Sequence, residues 1–206
     1  MNILAIGAHP DDLEFGCGGT LIKYARKGHH VYLLVMTEGN QGGDPGLRRA
    51  EQEVAAAILG ARKVLWGEYR DTEIPADRPV IQHIEEVVRL VAPDFIFVHH
   101  GDDTHQDHRN LSVATLSATR YTRNVLCYEG PTTQNFSPSV FVDVEPVLEE
   151  KIEALQAHAS QLTKTNIEDL SIADIARSSA HFRGIQGRVR NAEGFVPVRL
   201  FINITI

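Results

Sequence analysis

Two cysteines among 206 residues are too few for a disulfide framework, and neither Cys17 nor Cys127 has the Cys-x-x-Cys spacing of a thiolate metal site. Basic residues are also a minority, with 20 Lys plus Arg against 27 Asp plus Glu and a formal net charge of −7. That balance offers nothing to a polyanion, so no nucleic acid partner is expected. Long apolar runs are missing: Val31 to Met36 and Phe95 to Val98 fall far short of the ~20 residues that cross a bilayer. The N-terminus, Met-Asn-Ile-Leu-Ala-Ile-Gly-Ala-His, has no basic segment leading into an apolar stretch and no cleavage site after one. A cytoplasmic protein without a membrane span is the expectation. No linker, repeat or low-complexity segment interrupts the chain, so residues 1–206 read as one domain. With 43% apolar and 23% charged residues the composition is globular.

What is present alternates. Asn2 to Ala8 reads as a short apolar strand, followed by a polar turn and a helical stretch from Thr20 to Lys27. Val31 to Met36, bounded by Gly28 and Gly39, has the continuous apolar character of a strand buried on both faces and should lie beside the first. Leu47 to Leu59 is rich in helix formers and stops at Gly60. Lys63 to Trp66 predicts a strand, Pro79 to Leu90 a helix, Asp94 to His99 a strand, Leu111 to Tyr121 a helix and Val125 to Tyr128 a strand. Regularity then weakens: Val140 to Val142 and Val198 to Ile204 are expected strands, Val147 to His158 and Ile172 to Phe182 expected helices. Strands separated by helices imply an open α/β fold, a mostly parallel sheet with helices on both faces.

In such a sheet, ligands bind beyond the carboxyl ends of the strands. Two loops there are chemically unusual. The first runs His9-Pro10-Asp11-Asp12-Leu13-Glu14-Phe15-Gly16-Cys17-Gly18-Gly19-Thr20; the second contains Asp102-Asp103-Thr104-His105-Gln106-Asp107-His108. The first occupies the place of a dinucleotide-binding turn, but Asp11 and Asp12 would repel a pyrophosphate, and the Gly-Gly-Thr lacks the lysine of a P-loop. The glycines instead let backbone pass close to a site. Imidazole and carboxylate together suit zinc, and a catalytic zinc takes three protein ligands and a water. Two from the first loop leave one to come from His105, Asp107 or His108, which makes metal-assisted hydrolysis the leading reaction class.

The Ala-His-Pro-Asp-Asp loop, the Gly-Gly after it and the distant His-x-Asp-His resemble the PIG-L/LmbE-like zinc-dependent de-N-acetylases. Thr37-Glu38-Gly39, Arg48-x-x-Glu51 with Leu59-Gly60, and His158-Ala159-Ser160-Gln161 extend the resemblance along most of the chain. It implies a Rossmann-like fold and hydrolysis of the N-acetyl group of a small acetylated amino-sugar conjugate, an N-acetylglucosamine derivative. Residue by residue, it makes His9, Asp12 and His108 the ligands of one zinc ion per chain and Asp11 the general base that activates a metal-bound water. His105 would support the oxyanion, and Arg48, ranked above Arg49, would reach the substrate. On physical grounds His105 must be protonated to donate, Asp107 can help keep it so or orient a ring nitrogen, and the departing amine takes its proton from either Asp11 or His105. The partner implied is the glycoconjugate; a homo-oligomer is left open.

Each signal has a plainer reading. Asp-Asp in a loop is commonly a turn with capping carboxylates, and Asp107 can simply cap the helix that follows. Without the resemblance Arg48 is a solvated helix residue, and Cys17 a small buried filler. His99 and His100 are expected to pack or bond to backbone, Asp102 and Asp103 to be loop carboxylates or, less often, to hold a histidine in place, and His158 and Gln161 to be either a polar pair one helical turn apart or a substrate contact. Rival functions are an esterase or phosphoesterase using manganese or magnesium on the same loops, and a noncatalytic ligand-binding domain.

Overall fold

The computed structural model describes residues 1–202 and contains one seven-stranded sheet with six α-helices. The strands are β1 (Asn2–Gly7), β2 (His30–Thr37), β3 (Lys63–Tyr69), β4 (Phe95–His99), β5 (Val125–Tyr128), β6 (Val140–Asp143) and β7 (Ala192–Arg199). The helices are α1 (Asp12–Arg26), α2 (Pro45–Leu59), α3 (Arg78–Val91), α4 (Gln106–Ala118), α5 (Leu148–Gln156) and α6 (Ile172–Gly187). Strand order is β3-β2-β1-β4-β5-β7-β6. The first five strands pair in parallel, and β7 runs antiparallel to both β5 and β6. The expected open, mostly parallel α/β sheet is present.

Alternation along β1 explains why its sequence is continuously apolar. Ile3 and Ala5 join the cluster that includes Leu13, Cys17 and Leu21 of α1 and Leu59 of α2, while Leu4 and Ile6 join Val80 and Ile84 of α3 and Leu111 of α4. Both faces are thus covered, and no position on the strand can be polar without burying an unpaired group. The order of strands reverses between β1 and β4, which brings the loops after these two strands side by side at the crevice where ligands bind such sheets.

Several boundaries differ from expectation for identifiable reasons. Helix α1 begins at Asp12, well before Thr20, because its glycines are packing sites. A Cβ on Gly16 would lie 2.2 Å from the Tyr128 ring, and one on Gly19 would lie 2.7 Å from Val144. Backbone groups within α1 also find outside partners: Gly19 and Thr20 N–H donate to Glu193, and Lys151 Nζ donates to Phe15 O. Helix α4 starts at Gln106 and carries the second loop's Asp107 and His108 on its first turn. Helix α5 ends at Gln156, so His158 and Gln161 sit in a turn and not on successive turns of a helix. The closing strand is Ala192–Arg199 and not 198–204, its first four residues being buried; residues 203 and 204 of the expected strand lie outside the described residues.

Candidate metal centre

The two loops converge. His9 follows β1, Asp12 opens α1, and His108 sits on the first turn of α4. Asp12 lies between the histidines: its Oδ2 is 3.5 Å from His9 Nδ1, and its Oδ1 is 3.4 Å from His108 Nε2. Donor atoms group within 4.8 Å of one another in three sets: His9, His105 and His108; Asp12, His99 and His108; and His9, Asp71 and Asp107. The expected trio of His9, Asp12 and His108 takes its members from the first two sets.

The hydrogen bonds assign a job to each ring nitrogen. His9 Nε2 lies 3.1 Å from Asp107 Oδ2 and 3.0 Å from Asp71 Oδ1, so it is the donor nitrogen, and Nδ1 is left to face Asp12. His108 Nδ1 lies 3.3 Å from Asp103 Oδ2, while its buried Nε2 has no hydrogen-bond partner. A carboxylate on the far nitrogen of an imidazole is the usual support of a metal-ligating histidine. His9 Nδ1, an Asp12 oxygen and His108 Nε2 therefore suit a divalent cation, and two imidazoles with one carboxylate are a donor set that zinc accepts.

Asp11 sits at the N-cap of α1 with φ 94° and ψ −21°, and its side chain caps nothing. Its nearest polar partner is Arg48 Nη2, 3.4 Å from Oδ2. Loss of water raises the Asp11 carboxyl to about 6, with Asp12 adding to the rise and His158, Arg48 and His9 opposing it. At Asp12 the burial penalty is outweighed by His108 and His99, which hold its carboxyl well below the ordinary range. Burial works against protonation of His108, but Asp12 and Asp103 prevail and raise it to about 9. His99 is driven down to about 4 by burial and by its neighbour His108.

Asp107 orients a ring nitrogen, as expected, but the ring is that of His9. The Asp107 carboxylate makes no hydrogen bond to the His105 ring; it is fully buried and accepts from Thr72 N, Ile74 N and His9 Nε2. His105, the N-cap of α4, accepts at Nδ1 from Asp107 N–H at 3.2 Å, so a neutral ring carries its proton on Nε2. Burial and the neighbouring His9 and His108 lower its pKa, against the opposing charges of Asp107 and Asp12. Asp107 thus works toward a protonated ring but is outweighed, and the neutral ring keeps a donor at Nε2.

Arg48 is not a solvated helix residue either: it is 5% exposed, and its guanidinium donates to Gly39 O and Pro10 O. Arg49 instead faces outward, paired with Glu38 and Glu68.

Sequence reasoning passed over Asp71 and left His99 out of the site. Asp71, in the turn after β3, carries no signal in its neighbourhood. His99 is 1% exposed, accepts from Ala8 N–H at 3.2 Å as expected, and also stacks on His108 at 3.9 Å. Asp103 supports His108 and is itself held by Thr132 and Thr133 hydroxyls. This is the lesser of the two roles expected of Asp103, a carboxylate that holds a histidine in place.

Residues 4–119 match the family model described as PIG-L, GlcNAc-PI de-N-acetylase. An uncharacterized deacetylase of Escherichia coli is 36% identical over 77% of this chain and 90% of its own length. A diacetylchitobiose deacetylase of Thermococcus kodakarensis is 30% identical over 98% of this chain and 85% of its own. Among solved structures, the N,N'-diacetylchitobiose deacetylase from Pyrococcus horikoshii superposes with a TM-score of 0.85 at 28% identity, over 96% of this chain and 83% of that one. The chain belongs to the PIG-L family. A 4-oxalmesaconate hydratase of Pseudomonas putida also matches, at 23% identity over 77% of this chain and 73% of its own, so the chemistry has to be argued from the site.

Proposed function

We propose that this protein is a zinc-dependent hydrolase that removes the N-acetyl group from a small acetylated amino-sugar conjugate. One observation carries the reading: the Asp11 carboxylate stands next to the ligand Asp12, is spent neither on capping a helix nor on a short hydrogen bond, and has its pKa raised towards neutrality. A group of that kind is suited to general base work.

His9 Nδ1, Asp12 and His108 Nε2 would hold the zinc, which supplies Lewis acidity toward a carbonyl and lowers the pKa of bound water. Asp71 and Asp107 fix the ring of His9, and Asp103 that of His108. Asp11 accepts a proton from the attacking water at a carboxylate oxygen and can return it to the departing amine. His105 donates from Nε2 toward the developing oxyanion. The balance is amide plus water giving amine plus acetate.

The diacetylchitobiose deacetylases among the relatives favour an acetylated glucosamine unit as substrate, and the deacetylases resemble this chain more than the hydratase does. Among the described residues no helix is long and apolar enough to cross a membrane, and the two cysteines are free and buried, in keeping with a cytoplasmic enzyme acting on a small glycoconjugate. The test combines metal analysis of the purified protein with acetate release from N-acetylglucosamine and diacetylchitobiose. Zinc near one equivalent with acetate release is the expected result. Turnover confined to carboxylic esters, phosphoesters or an unsaturated acid would assign one of the rival chemistries. Binding of these sugars without turnover would leave a noncatalytic receptor.

A further inference from the structure

Helix N-caps in this molecule provide an internal comparison. Asp44 opens α2 with φ −64° and accepts from Leu47 N–H at 2.7 Å; Asp77 opens α3 with φ −120° and accepts from Val80 N–H at 3.2 Å. Each is an ordinary cap, with extended backbone and the carboxylate folded onto the third helical amide. Asp11 holds the same position on α1, yet its backbone is turned to φ 94° and its carboxylate leaves the helix end alone. That region is sparsely populated by residues with a Cβ, so surrounding structure must enforce it.

Two side chains of α2 grip the peptide unit in question. Arg48 Nη2 donates to the carbonyl of Pro10 at 2.8 Å, and the N–H of Asp11 donates to Gln52 Oε1 at 3.4 Å. These are the two ends of one peptide plane. Arg48 and Gln52 stand four residues apart, hence on the same face of α2, and are 5% and 0% exposed. Neither is free to turn away. Gln52 Nε2 donates to Glu14 Oε1 at 2.7 Å; since a carboxylate can only accept, the amide oxygen must point at Asp11. Arg48 Nη1 donates to Gly39 O at 2.6 Å, and a Cβ on Gly39 would lie 1.9 Å from that nitrogen.

We infer that Gln52 and Arg48 are positioning residues that hold the Pro10–Asp11 peptide in its flipped orientation, preventing Asp11 from folding back as a helix cap and keeping its carboxylate available as the base. The inference rests on the proposed role of Asp11 as general base. It also gives Arg48 a different task from the substrate contact implied by the family resemblance.

The decisive variant is Gln52→Met, which keeps the volume and removes the acceptor, with Gln52→Ala in reserve should Met not be accommodated. Bound zinc and KM should stay near wild type while kcat falls about 10- to 100-fold, the scale of a small misplacement of a catalytic group. Its crystal structure should show Asp11 at negative φ, its carboxylate accepting from Glu14 N–H. Gln52→Glu alone sets two carboxylates against each other and should also be impaired. The double exchange Glu14→Gln with Gln52→Glu restores a donor facing an acceptor and should recover most of kcat.

Wild-type kcat in Gln52→Met, a raised KM with kcat unchanged, no recovery in a folded double exchange, or an Asp11 still flipped and uncapped without Gln52 would each overturn the inference. If the wild-type protein releases no acetate from any acetylated amino sugar, the functional reading fails on its own account. The φ of Asp11 in the variant crystal structure then decides the clamp.

Discussion

His9 Nε2 lies between two carboxylates, 3.1 Å from Asp107 Oδ2 and 3.0 Å from Asp71 Oδ1, and this turns Nδ1 toward Asp12. Asp107 is anchored by Thr72 N–H and Ile74 N–H, so it links the turn after β3 to a ring on the opposite loop. Burial tends to deprotonate His9, yet Asp107, Asp12 and Asp71 together keep its pKa well above the ordinary value. Replacing Asp107 with Asn removes the charge and should weaken zinc about 10- to 100-fold, as other supporting carboxylates do. Competition with a chromophoric chelator measures this directly. Unchanged affinity would mean that the carboxylate only ties loops together.

Asp11→Asn should have the opposite profile. Zinc is retained, since the carboxylate is not among the donors that face one another, while turnover falls by roughly 10²–10⁴. Metal content and kcat are measured on the same preparation. Metal loss in this variant would make Asp11 a ligand, and retained turnover would end its role as base.

The parts of this architecture that were legible in the sequence are those in which one residue type answers to one physical demand. Strands β1, β2 and β4 are covered on both faces, so they read as unbroken apolar runs. Gly60 ends α2 at φ 70°, where a side chain is strained. The crevice follows from the alternation of strands and helices, and with it the meeting of His9, Asp12 and His108. What escaped notice depends on contacts between distant segments. The glycines of α1 look like helix breakers until Tyr128 and Val144 are seen against them. Asp71 is one acidic residue among many until His9 is beside it. The flipped peptide before Asp11 leaves no compositional trace, because Gln52 acts from another helix.

Gly16 supplies a stability test of that packing. A methyl group there would lie 2.2 Å from the ring of Tyr128, whose hydroxyl donates to Ile6 O at 2.9 Å and whose ring packs against His99 at 4.8 Å. Gly16→Ala should cost roughly 1–3 kcal/mol in urea unfolding, the usual penalty of an overfilled core. An unchanged midpoint would mean that the ring has room to retreat.

Both thiols should be inert in the native protein. Cys17 is fully buried, and its pKa is raised by loss of water and by the neighbouring Glu193. Cys127 is 4% exposed, and burial pushes its thiol up to about 12. The thiolate is the reactive form, so a disulfide reagent at mildly alkaline pH should find neither thiol until denaturant is added, and then both. Prompt native reaction of either would show that its surroundings open.

His158 gives the pH dependence. It is fully buried, with Nε2 at 3.4 Å from Glu14 Oε2, and although burial favours the neutral ring, Glu14, Asp11 and Glu51 raise its pKa above the ordinary value. A histidine whose pKa is higher folded than unfolded binds its proton more tightly in the native state, so it adds stability that is complete below the unfolded pKa of about 6.5. That contribution is lost as pH rises through the folded value. Urea unfolding of the wild type and of His158→Gln, compared between about pH 6 and about pH 9, isolates this residue, because the other titrating groups are common to both proteins. The wild-type advantage should shrink as pH rises. An advantage that grows with pH would mean that the ring is held neutral in the fold, and Glu14 would then serve Gln52 alone.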